Sequence, residues 1–222
     1  MSSVLSVNVG APAPRRGKST PTGIGKLPVE RIDVTDPGPK RRGPNGQGFS
    51  GVAGDFVGNG RHHGGSEQAV YAVAREELDH WALELGRDLP DGMFGENITT
   101  LGLDVDSAEY GDVWAIGSAV LRVSAPRVPC ATFASTMGEP GWIRRFARRG
   151  RAGTYLAVVS PGTIRPGDPI ALEPSYSGLR ITHLLQAWLG DVSQMREALA
   201  HDHLDDESRG HFTRALAARE VS

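Results

Sequence analysis

Residues 111–130 read GDVWAIGSAVLRVSAPRVPC. Two apolar runs, VWAI and AVLRV, flank the pair Gly117-Ser118, and a glycine in the first position of such a pair suits a tight turn. The stretch therefore predicts a β-hairpin between Asp112 and Ser124. Its end, Arg127 to Cys130, predicts a turn away from the sheet, because Pro129 lacks a backbone N–H and keeps the preceding residue extended.

Cys130 is the single cysteine of the chain. A lone thiol cannot form an internal disulfide, so inert packing, nucleophilic chemistry, sulfur transfer and metal ligation are its options. Its position at a strand exit beside Arg127 favours a functional thiol, since a nearby cation favours the thiolate. Free cysteines are also among the residues most often buried for packing alone. The tetrapeptide by itself leaves both interpretations open.

The composition describes an ordinary globular chain of 222 residues, as one large domain or a large domain with a small appendage. With 29 glycines and 15 prolines, a turn-rich β body is favoured over a helical bundle. A net charge of -2 argues against broad affinity for nucleic acid or for an anionic membrane. We find neither a transmembrane run nor a secretory signal in the sequence, so a cytoplasmic location is expected.

Apolar alternation divides the rest of the chain into short elements. A helix is predicted from a Ser66 cap, with Val70, Ala74 and Leu78 at helical spacing and a stop at Gly86. A second helix is predicted from Trp142 to Arg149, and polar loops at 11–20 and 37–48. Strands are predicted at Ser3–Val9 (as an edge strand), Ile24–Val34, Val52–Val57, Ile98–Leu101, Thr154–Val159 and the end of PGTIRPGDPIAL.

The character of the sequence changes after Pro174. Apolar residues recur at helical spacing from Ile181 to Leu189, and Asp191 predicts the cap of a second helix. A third helix is predicted around Phe212. The sequence therefore predicts a β-rich domain over residues 1–174 and a small three-helix module over residues 175–222.

Two further clusters combine polar side chains with glycine. His62, His63, Gly64 and Gly65 precede the predicted helix start at Ser66, where free backbone N–H groups suit an anion. The alternative is a turn with solvated histidines.

Glu96 and Asn97 follow Gly95 and enter a predicted strand that carries Thr99. Carboxylate and amide groups side by side suit the edge of a heterocycle. The alternative is a loop with local bonds from side chain to backbone.

Together these segments resemble the MOSC domain, named after the C-terminal domain of molybdenum-cofactor sulfurase. The tail from about Ile181 to Ala218 is similar to the three-helix module of the bacterial YiiM-like subfamily. The resemblance implies a mainly β fold with a β-barrel-like core, peripheral helices and the small helical module. It rests on TGIGKLPV (22–29), GDFVGNGRHHGGSEQAVYAVAREELDHW (54–81), GENITTLGLDV (95–105), residues 111–130, and GWIRRFARRGRAGTYLAVVSPGTIRPGD (141–168).

The resemblance implies binding of the molybdenum cofactor (molybdopterin), with Cys130 as the residue that ligates the metal or carries sulfur. Because polar groups, glycines and the thiol cluster at strand ends, one pocket is also predicted to gather His63, Gly64, Glu96, Asn97, Arg127 and Cys130. The implied contacts to the phosphate and other anionic groups come from Lys26, His63, Gly64 and Arg127. Those to the pterin edge come from Glu96, Asn97 and Thr99.

YiiM-like relatives imply reduction of N-hydroxylated bases or hydroxylamines to amines, a step of two electrons and two protons that releases water. The chain carries no recognisable flavin, nicotinamide or iron–sulfur motif, so the electrons are expected from a separate electron-donor reductase or from a small reductant. One alternative is a carrier of sulfur or cofactor that uses Cys130 without turnover. Another is a heterocycle-binding module in which Cys130 only packs. The oligomeric state stays open, with a homodimer as one option.

Overall fold

The structure is a computed structural model that describes residues 2–15 and 18–220. Residues 16 and 17 of the predicted polar loop 11–20 lie outside the described residues. The strands are β1 (Ser3–Val9), β2 (Ala13–Arg15), β3 (Lys18–Thr22), β4 (Leu27–Val29), β5 (Ile32–Val34), β6 (Val70–Ala74), β7 (Ile98–Leu101), β8 (Val113–Ile116), β9 (Ala119–Pro126), β10 (Thr154–Ser160), β11 (Gly162–Ile164) and β12 (Ile170–Glu173). The α-helices are α1 (Arg75–Leu85), α2 (Ala131–Met137), α3 (Trp142–Arg149), α4 (Ile181–Leu189), α5 (Val192–Leu199) and α6 (Asp206–Glu220).

Eight strands form one curved sheet in the order β12-β8-β9-β10-β6-β7-β1-β4. Its neighbours are antiparallel except for β6 and β7, which run parallel. The sheet curls until β1 meets the residues leading into β12. Val4 donates from its backbone N–H to the carbonyl of Asp168 (2.9 Å), and Ile170 donates to Ser2 (3.1 Å). The seam has one isolated bridge, between Ser3 and Pro169, so the core is barrel-like as expected but its strand ladder does not close.

Two apolar clusters hold this core together. The inside of the curved sheet is filled by buried side chains that include Trp114, Leu121 and Leu156. A second cluster covers the outer face, where α1, α2 and α3 pack their aromatic rings against the sheet. Burying this apolar surface is the main driving force for closing the layers. The second cluster also fixes α2, the helix that begins directly after Cys130.

The hairpin, the Ile98–Leu101 strand and the Trp142–Arg149 helix agree with the sequence predictions. The helix predicted from Ser66 is wrong in its first half. Ser66–Gln68 is a single 3-10 turn, Val70–Ala74 is the strand β6, and α1 begins at Arg75. All five residues of β6 are buried, because the strand lies between β10 and β7 with both faces covered. Such a strand shows no alternation, so its spacing resembles that of a helix.

Smaller differences occur near the N-terminus of the chain. The predicted strand Val52–Val57 contributes only isolated bridges, at Val52 and Val57. The predicted edge strand β1 is an inner strand, paired with β7 on one side and β4 on the other. Part of the predicted loop 11–20 forms the hairpin of β2 and β3.

The three C-terminal helices follow the prediction, and the Asp191 carboxylate caps α5 by accepting the N–H of Gln194 (3.0 Å). These helices form a third cluster around Leu184, Met195 and Phe212. Ile181 of α4, however, belongs to the core of the curved sheet. The boundary between residues 174 and 175 stays a prediction. Within the described residues, the helices lack the length and apolar character needed to cross a membrane.

Candidate functional site

Cys130 lies in an extended conformation between β9 and α2, and its carbonyl accepts the N–H of Ala134 (3.0 Å), the first bond of α2. The residue is partly exposed. Two cavities meet at it. The smaller, which we call the inner cavity, measures about 90 Å³ and reaches toward Lys26 and Arg127. The larger, which we call the outer cleft, measures about 400 Å³ and lies between the barrel and the C-terminal helices.

The structure brings six of the eight sequence-predicted site residues to the wall of the inner cavity. They come from distant parts of the chain because the loops at one end of the sheet converge there. Cys130, His63 and Tyr155 also border the outer cleft, so the thiol stands at the junction of the two spaces. The six predicted residues are Lys26, His63, Gly64, Asn97, Arg127 and Cys130.

Asp55 organises one side of the inner cavity, and the sequence analysis did not single it out. Its Oδ1 accepts the N–H of Gly10 (2.8 Å). Its Oδ2 accepts hydrogen bonds from Lys26 Nζ, Ser50 Oγ (2.8 Å) and Asn97 Nδ2 (3.0 Å). Burial lowers the pKa of Lys26, and the adjacent Asp55 carboxylate opposes that effect. The ammonium of Lys26 is therefore already paired within the protein.

Asn97 links three strands through its amide. Its Oδ1 accepts the N–H of Tyr71 (3.2 Å), and its Nδ2 donates to the carbonyl of Asn8 (3.2 Å) as well as to Asp55. Both amide hydrogens are thus used inside the protein. Asn97 therefore stabilises the cavity wall. One lone pair of its Oδ1 remains to accept a hydrogen bond from a ligand.

Glu96 and Thr99 are fully buried and line neither of the two cavities, so their expected contact with a pterin edge stays a prediction. Glu96 accepts the backbone N–H groups of Gly92 (2.6 Å) and Phe94 (2.9 Å) and the hydroxyl of Thr99 (3.3 Å). Burial raises the pKa of Glu96 to about 7, and these hydrogen bonds oppose the rise. The carboxyl group therefore shapes the loop at residues 92–95 instead of facing the cavity.

Arg127 is the strongest candidate for binding an anion. Its side chain is buried and makes one hydrogen bond, from Nη2 to the carbonyl of Phe94 (3.3 Å). Its Nε and Nη1 are buried without a hydrogen-bond partner among the described residues. Unpaired donors on a buried cation are costly, and an anionic ligand in the inner cavity would satisfy them.

His63 is a neutral imidazole at neutral pH. Burial is the main cause that lowers its pKa to about 4, and the positive charges of Arg127 and Lys40 add to the effect. Gly64 has a φ of +87°, and a Cβ there would lie 2.6 Å from the carbonyl oxygen of Phe49, so the position requires glycine. The segment leads into the 3-10 turn, so the α-helix start that was expected at Ser66 is wrong, and anion binding at His63 and Gly64 stays a prediction.

Two tyrosines that the sequence analysis did not single out complete the inner wall. The rings of Tyr71 and Tyr155 lie 5.1 Å apart, on adjacent strands β6 and β10. Burial raises the pKa of both phenols, so they stay protonated at neutral pH. Tyr71 donates its hydroxyl to the carbonyl of Ala152 (2.6 Å), whereas Tyr155 borders both cavities beside Cys130.

The outer cleft has one wall from the barrel and one from the C-terminal helices. Trp188 of α4 and three residues at the start of α6, Asp205, Glu207 and Ser208, form the helical wall. Lys40 Nζ of the barrel reaches across to Glu207 Oε2 (2.6 Å) and ties the two walls together. The helical module is therefore part of the site.

The site offers a ligand two chemical groups, the thiol at the junction and a buried cation with unpaired donors. It also offers the outer cleft, which has enough volume for a heterocycle. Among the described residues, no group of three or more His, Cys, Asp or Glu side chains could hold a metal ion. A metal at Cys130 would have to bring most of its ligands with it.

The sequence is similar to a known domain family and to proteins from several organisms. The MOSC domain profile matches residues 59–171. The uncharacterized protein YflK of Bacillus subtilis (strain 168) is 33% identical over 172 residues, or 77% of this chain and 72% of YflK. A protein of Gibberella moniliformis named Reductase is 34% identical over 146 residues, which are 62% of this chain but only 26% of that protein.

The fold is similar to that of a solved structure over almost the whole chain. The crystal structure of YiiM from Geobacillus stearothermophilus superimposes with a TM-score of 0.74 and 27% identity, covering 97% of this chain and all of that one. Coverage of this extent includes the helical module as well as the barrel, as expected for a YiiM-like protein. The chain belongs to the MOSC domain family.

Proposed function

We propose that this protein binds the molybdenum cofactor where the inner cavity meets the outer cleft, with an anionic group toward Arg127 and Cys130 as the metal ligand, and reduces N-hydroxylated bases or hydroxylamines to amines. One observation carries the proposal. Cys130 stands where a small cavity with a buried, unsatisfied cation opens into a larger cleft, so that one thiol can face a bound anionic group and a substrate.

The residues at the site suit such a cofactor. Arg127 offers two free donors for an anionic group such as a phosphate. Cys130 offers one soft sulfur ligand, and soft ligands favour metals already bound by sulfur. The site has no other cluster of ligands among the described residues, which fits a metal held mainly by its own cofactor.

Reduction of R–NHOH to R–NH₂ and water consumes two electrons and two protons. When bound, the cofactor would supply the electrons and accept the oxygen. The protein's own part is to position the substrate in the outer cleft and limit the water around the reacting N–O bond. Neutral His63 and the protonated Tyr155 border that space and supply hydrogen bonds without adding charge. A separate electron-donor reductase would return the electrons after each turnover.

The name of the fungal relative, Reductase, supports the reductive direction of the proposal. The direct test is to load the protein with cofactor and measure reduction of N-hydroxylated adenine with an artificial electron donor. We expect turnover in the wild type and a sharp loss in Cys130→Ser. Stable cofactor binding and transfer without turnover would favour the carrier function instead, for which the partly exposed thiol is also accessible.

A further inference from the structure

The outer cleft contains three carboxylates, and two of them are already neutralised. Glu67 accepts two hydrogen bonds from Arg122 Nη2, both of 3.0 Å. Glu207 pairs with Lys40 (2.6 Å). The third, Asp205, takes part in no ion pair among the described residues, and its Oδ2 is buried without a hydrogen-bond partner.

A hydrogen bond to the other carboxylate oxygen of Asp205 fixes the side chain. Oδ1 accepts the backbone N–H of Ser208 (2.9 Å) and so caps α6. This bond holds the Asp205 side chain at the wall of the cleft, where Oδ2 has no donor from the described residues. A buried carboxylate oxygen without a donor is costly, and a ligand that presents an N–H group would remove that cost.

Trp188 supplies a flat apolar surface in the same wall. Its ring stacks on His211 with centroids 4.3 Å apart and planes 17° from parallel, which fixes its orientation. Aromatic rings of this kind bind the faces of bases in a sequence-tolerant way. The helical wall therefore combines a surface for a planar ring with an acceptor for an N–H.

We propose that Asp205 recognises an exocyclic N–H of the substrate, so that the C-terminal helices select amino- or hydroxylamino-substituted heterocycles. The inference rests on the proposed function, because it names how that site would choose its substrate. Anionic ligands bind poorly beside the unpaired carboxylate, and ligands that lack N–H donors gain no hydrogen bond from it. Asp205 is thus a substrate-specificity residue that belongs to the helical module and not to the barrel.

The test measures binding to the full-length protein by calorimetry, with no turnover required. The probes are 9-methyladenine, whose N–H donors are all on the exocyclic nitrogen, and N6,N6,9-trimethyladenine, which has none. We expect Asp205→Ser to bind 9-methyladenine about tenfold more weakly and to bind the trimethyl compound as the wild type does. Serine is also a good helix cap, so α6 should remain folded.

Asp202→Asn is the matched control, since Asp202 is exposed in the same module and does not border the cleft. It should leave both affinities unchanged. Wild-type affinity of Asp205→Ser for 9-methyladenine would overturn the proposal, as would failure of the wild type to bind that base. Asp205-dependent binding without any reduction of N-hydroxylated adenine would refute the proposed activity alone. Reduction with an unchanged KM in Asp205→Ser would refute only the role of Asp205.

Discussion

The guanidinium carbon of Arg127 lies 4.0 Å from the centre of the Phe133 ring. Arg127 is the first residue after β9, and Phe133 belongs to the first turn of α2, so the contact spans the turn that holds Cys130. A cation over an aromatic face is favourable, more so when both are buried. The same residue that offers donors to the inner cavity therefore also fixes the turn carrying the thiol.

Replacing Arg127 with Met should separate these two roles. Methionine keeps much of the packing against Phe133 but removes a buried charge, so we expect the free energy of unfolding to change by less than about 1.5 kcal/mol. Cofactor retention should fall at least about tenfold, because a charge-assisted contact is lost. Metal analysis after purification and chemical denaturation measure the two effects. The control Arg145→Met, which borders neither cavity, should retain the cofactor.

Substitutions of Lys26 and Asp55 should have strongly coupled effects on the free energy of unfolding. Asp55→Asn leaves a buried ammonium without its counterion, so we expect a loss of about 3 kcal/mol in unfolding free energy. Lys26→Met in the same background should recover part of that loss, in a double-mutant cycle followed by denaturation. Asp79, which forms an exposed ion pair with Arg75, provides the control. Asp79→Asn should lower the unfolding free energy by less than about 1 kcal/mol. Strict additivity of the two cavity changes would contradict the coupling.

His63 should make the protein less stable in mild acid. Its pKa is about 4 in the folded state and near 6.5 when unfolded, so between these values only the unfolded chain binds the proton. The unfolding free energy therefore falls as the pH drops from about 6.5 toward 4. Because the His63 ring is partly exposed, we expect the unfolding free energy to fall by about 1–2 kcal/mol at most over this range. His63→Gln should lack this contribution, and parallel pH profiles of wild type and variant would exclude it.

The C-terminal helices should stabilise the barrel itself. Ile181 is 1% exposed and belongs to the core of the sheet, so Ile181→Ala should cost about 2–4 kcal/mol in thermal or chemical unfolding. Leu189, at the other end of α4, is 38% exposed, and Leu189→Ala should cost less than about 1 kcal/mol. Equal effects of the two changes would contradict the shared core.

Local patterns predicted the hairpin, the C-terminal helices and the group of residues around Cys130. They failed where burial removes the alternation, as in β6, whose five residues are all buried. They also failed for Asp55, because its partners Lys26 and Asn97 are 29 and 42 residues away and no periodicity connects them. Nor could they distinguish Asn97, which faces the cavity, from its neighbour Glu96, which faces inward to the loop. Adjacent residues of an extended chain point to opposite sides, and only the pairing in three dimensions decides which side is the cavity.

Metal ligation by Cys130 is tested most directly by X-ray absorption at the molybdenum edge of the cofactor-loaded protein. We expect Cys130→Ser to lose one sulfur from the metal's coordination shell, because serine offers a harder oxygen in place of the thiolate. The fold should survive, since the residue is partly exposed and the first bond of α2 comes from its backbone carbonyl. An identical number of sulfur ligands in wild type and Cys130→Ser would contradict the claim that this cysteine binds the metal.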